Sequence, residues 1–98
     1  MMAQNQEETQ VKLEEYIKWN WDWYLEQYQK KRWGTLLYEA DYILRQLGII
    51  VAKKPSVYEI KKEETLSKTV LHFNLYVGTL VIYLKIDSNG GVEAEVIR

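Results

Sequence analysis

Residues 69–87 read TVLHFNLYVGTLVIYLKID. Leu71, Phe73, Leu75 and Val77 alternate with Val70, His72, Asn74 and Tyr76, and then Leu80, Ile82, Leu84 and Ile86 alternate with Val81, Tyr83 and Lys85. A period of two marks a strand buried on one face only. Gly78-Thr79 divides the run where a two-residue type II′ turn requires glycine at its first position. That turn sets Val77 against Leu80, Leu75 against Ile82 and Phe73 against Leu84 on the core side. Asn74 then meets Tyr83, and His72 meets Lys85, on the other side.

Parity also decides the strand that follows. Asn89-Gly90 invites a two-residue type I′ turn, but that register sets Ile86 against Glu93 and drives the last glutamates into the core. A three-residue loop, Ser88-Asn89-Gly90 with Gly90 left-handed at a bulge, instead pairs Ile86 with Val92, Leu84 with Ala94 and Ile82 with Val96. It also brings Lys85 opposite Glu93. Upstream, Ser56 to Lys62 reads as a strand with Tyr58 and Ile60 on one face and Val57, Glu59 and Lys61 on the other. The charged KKEETLSK segment is expected to form a solvated turn and frayed strand ends. Pro55 stops Ile49 to Ala52 from pairing far, whether those residues form a short strand or a connector.

Towards the N-terminus the apolar period lengthens. Leu13, Ile17, Trp21, Tyr24 and Tyr28 recur at spacings of three and four, which at about 100° per residue puts them on one helical stripe. Tyr16, Trp19 and Trp23 fall on a flank of the same helix. Thr9 is a candidate N-cap, with Glu7 and Glu8 suited to the positive end of the helix dipole. A second helix carries Leu36, Leu37, Ala40, Ile43, Leu44 and Leu47, and Gly48 stands where a left-handed C-cap belongs. Lys30 to Gly34 leaves room for a short turn only, so the helices run antiparallel. Over Tyr24 to Leu47 the pattern resembles one tetratricopeptide-type helical pair, with Trp33 near the turn and Ala40 at a close crossing; the resemblance implies the hairpin geometry and no function.

The expected fold is therefore a two-layer α+β domain in the order ααββββ: an N-terminal antiparallel helical hairpin packed on one face of a four-stranded antiparallel meander. Helices are expected at about 7–31 and 33–47, and strands at about 56–62, 69–77, 80–87 and 91–98. Residues 1–6 read as a disordered lead-in to a single domain, 7–98.

Composition narrows the function classes. Hydrophobic residues at 47% and charged residues at 28% fit a folded globular chain. With 13 basic against 14 acidic residues there is no whole-chain attraction to nucleic acid or anionic lipid. Cysteine is absent, which removes disulfides, thiolate metal ligands and thiol nucleophiles. The opening MMAQNQEETQ lacks the pattern of a signal peptide, and no apolar run approaches the roughly 20 residues of a membrane span, so a soluble cytoplasmic protein is expected.

The chain offers no motif for a catalytic centre, a cofactor or a metal, and its lone His72 reads as a cross-strand residue beside Lys85. Asp22 and Asp41 each interrupt an aromatic neighbourhood. They either face solvent or accept a bond from an indole N–H or a phenol O–H, which buried Trp and Tyr require. Two surfaces remain. The aromatic flank of Tyr16, Trp19 and Trp23 suits a homodimer or another protein partner, or alternatively the wall of a small-molecule pocket between helices and sheet. The uncovered sheet face, with His72, Asn74, Tyr76, Tyr83 and Lys85, could stack single-stranded bases, but Glu93 and Glu95 share it and no basic rim surrounds it. The leading expectation is a small non-enzymatic interaction protein, homodimeric through its surplus aromatic surface.

Overall fold

A computed structural model describes residues 12–49 and 53–97. Three helices precede four strands among those residues: α1 over 12–19, α2 Trp21–Gln29, α3 Trp33–Gln46, β1 Ser56–Glu64, β2 Thr69–Val77, β3 Leu80–Asp87 and β4 Val92–Ile97. The strands form an antiparallel meander in the order β1-β2-β3-β4, and the helices pack on one of its faces. The expected α+β architecture is the observed one. The expected lead-in, the Thr9 cap with its acidic pair, and most of the connector before Pro55 lie outside the described residues.

Both later hairpins take the register that hydrophobic parity requires. Val77 faces Leu80, Leu75 faces Ile82 and Phe73 faces Leu84. Across the last hairpin Ile86 meets Val92, Leu84 meets Ala94, Ile82 meets Val96 and Lys85 meets Glu93. Gly78 has φ +62° and Gly90 φ +86°, the left-handed backbone that each turn needs. Asp87 braces the second turn by accepting the Asn89 and Gly91 amides at 2.8 and 2.9 Å and a bond from the Lys68 ammonium at 3.2 Å.

β1 departs from the expected pattern in two ways. Val57 faces Leu75, but the next pair is Glu59 with Asn74, so the ladder contains a bulge between them. The extra residue resets the alternation, and Val57 packs on the core with Ile60 instead of facing away from it. The side chain of Tyr58 lies outside the described structure. The strand also runs on through Lys61–Glu64, paired with β2 where frayed ends were expected, because charged side chains there can point to solvent while the backbone stays hydrogen-bonded. The turn itself is confined to Thr65–Lys68, where Thr65 Oγ1 accepts the Lys68 amide at 3.1 Å.

The helical layer also differs from a single run over 7–31. Asn20 has φ −100° and ψ 6°, and its side-chain amide donates to the Tyr16 carbonyl at 2.8 Å alongside its own backbone N–H at 3.1 Å. A short amide competing for a backbone carbonyl interrupts the helix. The chain re-enters a helix at once, with the Tyr24 amide bonded to the Asn20 carbonyl at 2.9 Å. Both ends of the next segments close alike: Arg32 N–H reaches the Gln27 carbonyl and Ile49 N–H the Leu44 carbonyl, each at 2.9 Å. These are Schellman closures. Gly48 fills the left-handed position of the second, while the first holds Lys31 there at φ +57°.

Between the layers, Leu13, Ile17, Trp21 and Tyr24 from α1 and α2 and Leu36, Ala40, Ile43 and Leu44 from α3 meet Leu71, Phe73, Leu75, Ile82, Leu84 and Ile86. α3 lies over β1. α1 sits at the opposite side, over the β3–β4 loop, so closely that a Cβ on Gly90 would stand 2.5 Å from the Glu14 backbone oxygen. Among the described residues, no helix is long and apolar enough to cross a membrane.

Candidate functional site

Two surfaces carry the residues singled out in the sequence. On the helical surface the expected flank divides. Tyr16 turns towards α3: its hydroxyl donates to Glu39 Oε2 at 2.8 Å and its ring lies 5.1 Å from that of Tyr42. Trp19, the last residue of α1, is 87% exposed. Trp23, one turn on in α2, is 37% exposed and rests edge-on against Tyr24. Trp21 lies between them in sequence and is buried, as the core stripe requires.

Glu39 is the polar centre of the helical layer. It accepts the Tyr16 hydroxyl and also the Tyr24 hydroxyl, the latter at 3.1 Å. Burial, followed by the Glu39 carboxylate, pushes the Tyr16 phenol up to about 12, and the same causes raise that of buried Tyr24. Both phenols stay protonated as donors at any ordinary pH. Asp22 and Asp41 do not take this part: Asp22 is exposed, and Asp41 accepts from Arg45 Nε at 3.1 Å one turn away. The need for an acceptor was legible in the tyrosines, but the acceptor was sought beside aromatics in sequence. Glu39 shows a different signal, three residues after Leu36 and four before Ile43, at the rim of the α3 core stripe and facing α1 and α2 across the hairpin.

A shallow cleft of about 370 Å³ opens beside Tyr16, lined also by Lys12, Leu13, Tyr42 and Gln46. It lies between α1 and the end of α3.

On the uncovered sheet face the alternate residues form a polar lattice. Glu59, Asn74, Tyr83 and Glu95 make one cross-strand row, and Lys61, His72, Lys85 and Glu93 the next. His72 connects the rows: Nε2 pairs with Glu63 Oε1 at 2.9 Å and Nδ1 with the Tyr83 hydroxyl. Asn74 Nδ2 donates to Glu59 at 3.5 Å, and Lys85 pairs with Glu93 at 3.1 Å. The Glu93 contact holds the Lys85 ammonium above the usual lysine range. Tyr76 is 43% exposed at the end of the face. Glu63 escaped the sequence reading because β1 was expected to end one residue before it.

No cluster of three or more His, Asp or Glu side chains suited to a metal ion occurs among the described residues. Compared with known protein families, with curated proteins and with solved structures, the chain has no match.

Proposed function

We propose that this chain is a small interaction domain that works by binding rather than by catalysis, and that it pairs with a second copy of itself through Trp19 and Trp23. The exposure of the Trp19 indole carries the reading. An indole left in water on a folded domain forgoes burial energy of roughly 1.5–3 kcal/mol, which a partner recovers. Trp23 extends the surface along the same flank, while Tyr16 supports it from behind through Glu39 and Tyr42. We place the protein in the cytoplasm, where a cysteine-free domain forgoes no disulfide.

Light scattering on a size-exclusion column tests the pairing. A mass near twice 11.7 kDa is expected at high micromolar concentration, falling on dilution. The double substitution Trp19→Gln, Trp23→Gln is expected to give a monomer with the circular dichroism of the parent. A parent chain that stays monomeric at every concentration defeats the homodimer.

The cleft beside Tyr16 favours a second reading, a small-molecule site with Lys12 and Gln46 among its lining residues. A metabolite that raises the melting temperature in the parent but not in a Tyr42→Ala variant supports it. Base stacking on the open sheet face stands third. Tyr83 is committed to His72, and Glu59, Glu63, Glu93 and Glu95 repel a phosphate backbone.

A further inference from the structure

We propose that Tyr83 is a reactive acceptor for activated acyl groups, with His72 as its general base and Glu63 as the positioning residue behind the imidazole. The inference concerns the open sheet face and stands independently of pairing through the helices.

Three strands assemble the relay. Glu63 comes from β1, His72 from β2 and Tyr83 from β3, and each step runs diagonally by one row of the lattice. The two contacts together select one tautomer. A carboxylate only accepts, so the Glu63 contact requires a proton on Nε2, and in the neutral ring this leaves the lone pair on Nδ1. That lone pair faces the Tyr83 hydroxyl, so the phenolic proton points at a base. The order oxygen nucleophile, imidazole, carboxylate is the one that activates hydroxyl nucleophiles generally, whatever fold carries it. Here solvent reaches it in part: the His72 side chain is 23% exposed, that of Glu63 56%, and Tyr83 is half-buried.

The remaining charged groups define the setting. Glu59 and Lys61 on β1, Lys85 and the Lys68-paired Asp87 on β3, and Glu93 and Glu95 on β4 share this face with the relay. Lys85, two residues from Tyr83 on the same strand, is paired with Glu93 at 3.1 Å, and Asn74, directly opposite Tyr83, donates to Glu59 at 3.5 Å.

The step balances without a further reagent. The Tyr83 oxygen attacks the carbonyl carbon of an activated ester and forms a C–O bond as its proton passes to His72 Nδ1. The tetrahedral adduct then collapses, the original ester C–O bond breaks, and the alcohol portion departs as its anion. Glu63 stabilises the imidazolium until it returns its proton to water. The product is a stoichiometric acyl-tyrosine.

p-Nitrophenyl acetate is the probe, with the acetylated positions read by peptide mass spectrometry on the intact chain. Tyr38, 66% exposed, is an internal comparison that lacks a neighbouring imidazole on its hydroxyl. Tyr83 is expected to acetylate at least about 10-fold faster than Tyr38, although it is the less exposed of the two. His72→Gln is expected to lower the Tyr83 rate about 100-fold, the lower end of what a general base contributes, with no change at Tyr38. Glu63→Gln keeps the proposal testable if His72→Gln perturbs the fold. An amide donates as well as accepts, so the ring tautomer is no longer fixed; the Tyr83 rate is expected to fall about 10-fold with no change at Tyr38, and Glu63→Asp to restore part of it, which loss of packing alone does not produce. Equal labelling of Tyr38 and Tyr83, acetylation of lysines without Tyr83, or an unchanged Tyr83 rate in Glu63→Gln overturns the proposal.

Discussion

The two faces of the sheet are built from alternate residues of the same strands, yet they hold by different means. Under the helices, Leu71, Phe73, Leu75, Ile82, Leu84 and Ile86 are at most 1% exposed and carry no polar side-chain atom. On the other face, Glu63, His72, Tyr83, Lys85 and Glu93 link strand to strand through hydrogen bonds and ion pairs that water reaches. Burial is non-directional and sums over area, whereas exposed polar pairs are specific in geometry and each contributes little. The covered face therefore holds the fold, and the open face can carry chemistry at small cost to stability.

Substitutions that break this contrast are ordered by expected effect. Phe73→Ala removes the largest side chain of the covered sheet face and is expected to cost about 3–5 kcal/mol in chemical denaturation. A loss under 1 kcal/mol would show that the helices do not close over β2. Gly90→Ala strikes the seam between the layers, since the new Cβ meets the Glu14 backbone at 2.5 Å and the residue must still hold φ +86°. The expected loss is about 2–4 kcal/mol.

Asp87 is the exception on the open face, a carboxylate only 6% exposed. Burial raises its pKa, but the Gly91 and Asn89 amides and Lys68 outweigh burial and hold it below the ordinary 3.8. A depressed folded value means that its stabilisation is complete above the unfolded pKa and is lost as pH falls through the folded one. Asp87→Asn is expected to cost about 1–3 kcal/mol at neutral pH and to flatten the acid limb of the stability profile. An unchanged acid limb would assign that limb to other carboxylates.

Glu39 is the counterpart in the helical layer. Tyr16 and Tyr24 have phenol values raised above the ordinary 10.0, that of Tyr16 to about 12. Their contribution is complete below pH 10 and drains away as pH climbs to about 12 and beyond. Glu39→Gln keeps an acceptor but removes the charge, so a loss of about 1 kcal/mol at neutral pH is expected, with a shallower decline above pH 10 in urea melts. The smallest effect belongs to the open face. His72→Gln is expected to stay within about 0.5 kcal/mol of the parent while changing the reactivity of Tyr83.

Much of the scaffold was legible from residue order. The strand parity from Leu71 to Ile86, the glycines at 78 and 90 and the rejection of the two-residue turn at Asn89 all follow from local periodicity and turn sterics, which act within a few residues. The core stripe of Leu13, Ile17, Trp21 and Tyr24 follows from the same kind of reasoning. β1 was harder because a single bulged residue reverses parity, and no local pattern around Val57 announces it.

The candidate sites were less legible. His72, Tyr83 and Lys85 could be placed on one face, but the hydrogen bond between the Tyr83 hydroxyl and His72 is diagonal to the register, and the other partner of His72, Glu63, lies on a strand whose length was read short. Likewise Tyr16 and Tyr24 announced a need for an acceptor without identifying Glu39, 23 and 15 residues further on.

By itself, the sequence determined which residues alternate, which recur at helical spacing, where the two glycine turns fall and hence the two-layer α+β plan, because those are properties of neighbours along the chain. Only the tertiary structure decided that Tyr16 belongs to α3 while Trp19 is left in water, that Glu39 serves two phenols, and that Glu63, His72 and Tyr83 form one line. Each depends on how far one element is shifted against another, and that offset is set by packing across the whole core.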